Sequence, residues 1–146
     1  MNRSLNALSV ALALCALFLF PMCAKADGKV IPVSKLPAEA QSFIKTHYDG
    51  VKVLQVVSDR TDYEVILAGN TQLEFDRSGN WKEIKCKGGS IPDSVIPSRI
   101  MSYIQEYFPS DKVCAIERSI WGYEVIITSG FELEFDKNCN FVRIDD

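Results

Sequence analysis

Four glutamates, Glu64, Glu74, Glu124 and Glu134, are the first candidates for chemistry in this chain of 146 residues, which holds a single histidine. Two carboxylates held close together, one kept protonated by its surroundings, are the minimum equipment of a glycosidase-like acid and base. Here each glutamate lies in a short alternating run, Tyr63-Glu64-Val65-Ile66 or Leu73-Glu74-Phe75-Asp76. The runs recur as Tyr123-Glu124-Val125-Ile126 and Leu133-Glu134-Phe135-Asp136. Catalysis would also need a deep pocket to raise one pKa, and the short turns between these runs supply no walls for it. The carboxylates therefore read as non-enzymatic: they keep an exposed sheet soluble and unaggregated, or they meet a partner.

The other reactive side chains give no stronger signal. Nucleophilic catalysis needs a base within reach of a serine or cysteine, and the one histidine, His47, falls where the second half of the chain has Tyr107. That substitution marks a packing or surface position. Zinc wants closely spaced Cys and His ligands, whereas Cys86, Cys114 and Cys139 lie 28 and 25 residues apart. Cys114 aligns with Leu54 and reads as a small buried hydrophobe. The segments from Asp76 to Asn80 and from Asp136 to Asn140 are rich in oxygen ligands. They lack the alternating acids and closing glutamate of a calcium loop, so they read as turns with local Asp and Asn hydrogen bonds. No metal and no cofactor are expected.

The elements that carry these residues are written twice. Laying residues 34–86 over residues 94–146 without a gap gives 16 identities in 53 positions, about four times what chance provides at average residue frequencies. Each copy opens on Pro37 or Pro97 at the start of a helix, where the missing N–H costs nothing. Ala40, Phe43, Ile44 and Tyr48 then recur at helical spacing, as do Ile100, Tyr103, Ile104, Tyr107 and Phe108 before Pro109. Residues 51–57, 62–68, 71–76 and 80–86 read as four strands separated by Gly- and Asn-rich turns, and the second copy repeats them. The expected fold is α+β: two tandem units of one helix plus a four-stranded antiparallel meander. Together they give one continuous curved eight-stranded sheet with both helices on one face. Residues 27–88 form the first repeat and residues 89–146 the second.

Alternation assigns the faces. Tyr63, Val65, Leu67, Leu73, Phe75 and Ile84 should meet the helix, leaving Glu64, Ile66, Glu74 and Glu83 on the other side with Glu124, Ile126, Glu134 and Arg143. Counting back three positions from Ile84 and Ile144 places Trp81 and Phe141 on that same outer side. Aromatic rings among charges are the composition of protein interfaces. The candidate binding set is therefore Trp81, Phe141, Glu64, Glu74, Glu124 and Glu134, with Trp121 as a rim residue in the turn Ile120-Trp121-Gly122. The expected partner is a protein or peptide of basic or amphipathic character. The alternative is a small-ligand carrier or sensor using a cleft between the repeats.

At this point the residues resemble a known family. Tandem helices entered through Leu36-Pro37 and Ile96-Pro97, followed by Tyr-Glu-Val-Ile, Leu-Glu-Phe-Asp and the turn Gly79-Asn80-Trp81, resemble the PepSY-like domains of exported bacterial proteins. Cys139 and Phe141 replace the turn glycine and the tryptophan in the second copy. The resemblance runs from about Leu36 to Asp146. It implies a fold like that of the beta-lactamase inhibitor protein, and non-enzymatic binding or inhibition, with no residue set that names a partner.

The chain's start specifies its destination. Residues 5–20 carry no charge, follow Arg3 and run into Ala24-Lys25-Ala26, the pattern of a secretory signal peptide cleaved after Ala26. Lipid attachment at Cys23 is the lesser alternative, because Phe20-Pro21-Met22 precede it where small residues are wanted. Beyond the leader, 14 basic residues stand against 19 acidic ones, which argues against nucleic acid as a partner. The expected location is periplasmic or extracellular, with no membrane span after cleavage.

Overall fold

The computed structural model describes residues 27–145, and the leader reading, including Cys15 and Cys23, lies outside them. In chain order the elements are β1 (Lys29–Val30), a 3₁₀ turn (Val33–Lys35), α1 (Ala38–His47), β2 (Val53–Ser58), β3 (Asp62–Leu67), β4 (Thr71–Asp76) and β5 (Trp81–Cys86). A second 3₁₀ turn (Asp93–Val95) leads to α2 (Ser98–Tyr107), β6 (Val113–Arg118), β7 (Gly122–Ile127), β8 (Glu132–Asp136) and β9 (Phe141–Asp145). Among the described residues the nine strands form one antiparallel sheet in simple chain order. The expected α+β architecture is borne out, with nine strands where eight were expected. The ninth is β1, which lies along β2 with Lys29 opposite Ser58 and Val30 opposite Val57.

Each helix begins where its proline sets it. The Pro37 and Pro97 carbonyls accept the first helical bonds, from the amides of Gln41 (3.1 Å) and Met101 (3.0 Å). Inward, Ala40, Ile44 and Tyr48 of the first copy and Ile100 and Ile104 of the second are buried. Phe43 meets Phe75 edge-on at 5.6 Å between ring centroids, and Tyr103 meets Phe135 in the same way at 5.4 Å. These equivalent contacts place both helices on one face. Tyr107 departs from its helical pattern: it ends α2 59% exposed, its ring against Tyr103.

Beneath the helices, Tyr63, Val65, Leu67, Leu73, Phe75 and Ile84 are buried, as alternation requires, with Val125, Ile127, Leu133 and Phe135 continuing the layer. Pairing slips by one residue at four places, which leaves Leu54, Lys82, Cys114 and Val142 as the extra residues of β-bulges. The four fall at equivalent positions of the two copies. A bulge shifts side-chain parity along its strand, so the bulges decide which residues share the uncovered face.

Candidate interaction face

Cross-strand register builds this face. Glu64 pairs with Glu74, Glu74 with Glu83, Glu83 with Glu117, Glu117 with Glu124, and Glu124 with Glu134. Six glutamates thus stand side by side across β3 to β8, on the face opposite the helices. The row ends at Val57 on β2 and at Arg143 on β9. Adjacent strands lie about 4.8 Å apart, and like charges directly opposite one another destabilise a sheet.

Cations relieve the row unevenly. Lys82 donates to Asp62 Oδ1 at 2.8 Å and to Glu74 Oε1 at 3.1 Å, Lys85 pairs with Glu83 at 2.6 Å, and Arg143 pairs with Glu134. Among the described residues no ion pair reaches Glu117 or Glu124, in the middle of the second copy's stretch. Burial, and then the charges of Glu83 and Glu124, push the Glu117 carboxyl up to about 7. Burial and the neighbouring Glu132 and Glu134 raise Glu124 in the same direction. Glu117 therefore gains and loses a proton near neutrality, a consequence of desolvation and crowding.

The structure brings Glu64, Glu74, Glu124 and Glu134 together on the uncovered face and corrects the placement of both predicted rings. Trp81 pairs with Phe75 and Phe141 with Phe135, because Lys82 and Val142 are the bulged residues. A parity count across an unrecognised bulge reverses the face. Trp81 is half-buried against the helix-side core, with the Arg118 guanidinium 4.4 Å above its ring. Phe141 stacks on Tyr103 at 4.6 Å with an interplanar angle of 11°. Trp121 is 81% exposed in the β6–β7 turn. It edges a groove of about 240 Å³ whose walls include Glu117, Glu124, Glu134 and Val142. Glu117 escaped the sequence reading because its repeat partner is Val57; only its position two residues beyond Ala115 in β6 betrays its side.

A second concavity, of about 690 Å³, opens where the linker between the repeats passes β6 and β7, with Gly89, Lys112, Cys114, Ile126 and Glu132 among its walls. Cys114 is buried, but on the uncovered side, where its bulge tucks it beside the linker; it is no part of the helix-side core. Its thiol donates to the Ile126 carbonyl at 3.3 Å, and burial raises its pKa. The three cysteines among the described residues, Cys86, Cys114 and Cys139, are free thiols.

His47 and Ser94 lie 2.8 Å apart and tie α1 to the start of the second repeat. Among the described residues no carboxylate orients that ring, so the pair lacks the third member of a triad. Asp76 accepts amide hydrogens of Ser78 (2.8 Å) and Asn80 (2.9 Å), and Asp136 those of Asn138 and Asn140, both at 2.8 Å. Their carboxylates are spent on turn formation, which holds both below the usual carboxylate range.

Comparison with known proteins agrees with this fold. A family model described as "Putative beta-lactamase-inhibitor-like, PepSY-like" matches residues 22–73 and again residues 61–143. A crystal structure described as a putative periplasmic protein of the DUF2874 family from Bacteroides vulgatus is 39% identical. It covers 84% of this chain and 99% of its own, with a TM-score of 0.78. One from Bacteroides thetaiotaomicron, described as a putative calcium-regulated periplasmic protein, is 40% identical over 82% of this chain and 97% of its own, with a TM-score of 0.78. Another from Bacteroides vulgatus, a putative periplasmic protein of unknown function, is 35% identical over 82% of this chain and 99% of its own, with a TM-score of 0.76. No curated protein matches the chain.

Proposed function

The chain belongs to the PepSY-like family, and from that membership and the geometry of its uncovered sheet face we propose that it is an exported, non-catalytic module that recognises a protein or peptide on that face. The observation that carries this reading is the row of six glutamates, from Glu64 on β3 to Glu134 on β8. Its Glu117–Glu124 stretch, which no ion pair reaches among the described residues, is costly to hold together, and complementary charge steers and orients a partner. With Trp81 and Phe141 turned to the helices, Trp121 is the aromatic anchor left beside the row, and Ile66 and Ile126 supply apolar ground between the carboxylates. The partner that fits is an extended segment rich in lysine and arginine.

The test is binding of a short lysine- and arginine-rich peptide to the chain lacking residues 1–26. Trp121→Ala is expected to weaken binding about tenfold or more, and Glu74→Lys with Glu134→Lys to flatten its salt dependence. Equal binding by the parent and both variants contradicts the reading. The small-ligand alternative has one observation in its favour: the cavity beside Cys114, about 690 Å³, exceeds the roughly 300 Å³ that a drug-sized ligand needs. An apolar probe such as anilinonaphthalene sulfonate, lodged there, protects the Cys114 thiol from alkylation; unchanged alkylation rejects that alternative.

A further inference from the structure

The internal repeat makes the two ends of the sheet complementary. Where the copies join, β5 of the first lies antiparallel to β6 of the second, with Glu83 opposite Glu117, Ile84 opposite Ile116 and Lys85 opposite Ala115. Moving that junction by one repeat sets β9 against β2, with Arg143 facing Val57, Ile144 facing Val56 and Asp145 facing Gln55. Within one chain this pairing cannot form, because β2 and β9 lie at opposite ends of the sheet.

Both halves of the absent junction are visible. On β9, Ile144 is 43% exposed and Val142 57%, whereas Ile84, the repeat partner of Ile144, is fully buried. On β2, the edge is occupied by β1: Val30 sits opposite Val57, and the Ile31 amide donates to the Val56 carbonyl at 3.0 Å. Val30 and Ile31 therefore stand at the places that Glu83 and Ile84 hold against β6. Ile31 packs against the core from that position. The segment is a short stand-in for the last strand of a preceding repeat, and covering a sheet edge in this way prevents edge-to-edge association.

We propose that β9 is a strand-addition edge matched to the β2 edge of a second copy of this chain, and that β1 is the latch that keeps the two apart. The partner follows from continuity with an interface the chain already contains. Its charges favour it too: the internal junction opposes two glutamates, whereas the external one sets Arg143 against Val57. The contact is head-to-tail, so each molecule presents one edge of each kind and the contact repeats from molecule to molecule.

Light scattering after size exclusion, on the chain lacking residues 1–26, tests this. The parent chain is expected to elute as a monomer. Ile31→Pro removes the amide that holds β1 to Val56, and its apparent mass is expected to rise with concentration through twice the monomer mass. Adding Ile144→Lys, a charge on the open edge, is expected to restore the monomer. An Ile31→Pro chain with native circular dichroism that stays monomeric overturns the proposal, as does assembly that persists with Ile144→Lys. Should Ile31→Pro fail to fold, Lys29→Pro repeats the test, because Lys29 is exposed and its amide faces Ser58 in the same antiparallel ladder.

Discussion

The two repeats carry one design into different surroundings. Ile84 and Ile144 are the same residue at the same place in the unit, yet one is fully buried and the other 43% exposed. The difference lies in the neighbour: β5 has β6 along its outer edge, and β9 has no further strand beside it among the described residues. Gly79 and Cys139 diverge in a related way. Both adopt the left-handed conformation, with φ of 89° and 61°. At Gly79 an added Cβ would come within 2.9 Å of the Ala40 amide nitrogen, so the turn of the first copy is pressed against its helix and only glycine fits. Burial and tolerance in this protein are thus set by position in the sheet as much as by the repeated motif.

The sharpest way to break that comparison is to remove the rings shared by both copies. Phe75→Ala and Phe135→Ala are each expected to cost about 3 to 5 kcal/mol, measured by chemical denaturation. An unchanged midpoint in either would show that the second copy does not pack as the first does. Next in size is the pair that should differ. Ile84→Ala should cost about 2 to 4 kcal/mol and Ile144→Ala less than about 1 kcal/mol, and equal losses would contradict the role of the β5–β6 junction.

The smallest effect expected is electrostatic. Glu117 titrates at about 7 in the folded chain, above its ordinary value of 4.5. Between those values the folded chain holds a proton that the unfolded chain has released, so this contribution to stability is full at the acidic end. It is lost as pH rises through about 7. Glu117→Gln should flatten that slope and stabilise the chain above neutrality by about 1 kcal/mol, after allowance for solvent screening. Thermal melts across the range check it, and an unaltered slope would leave the row's crowding without consequence.

Much of this was legible in the sequence, and what was not lies outside local patterns. The repeat, both helices and the helix-facing residues from Tyr63 to Ile84 follow from periodicity and alternation, because those patterns are local. Bulges are not. Nothing in Trp81-Lys82-Glu83 or Phe141-Val142-Arg143 announces an extra residue, so alternation alone places both rings on the wrong face. β1 was missed because two residues carry no period. Glu117 was missed because the row it completes exists only once β5 and β6 are aligned side by side, a contact between copies that neither copy's own pattern contains.

The central claim, that the uncovered face is the one that meets a partner, has an internal control in the two tryptophans. Trp121 borders the glutamate row, whereas Trp81 lies on the helix side beneath Arg118. Their indole N–H signals can be followed together by NMR while a lysine- and arginine-rich peptide is added. A shift of the Trp121 signal with Trp81 unmoved is the predicted result; movement of Trp81 alone, or of neither, would contradict it.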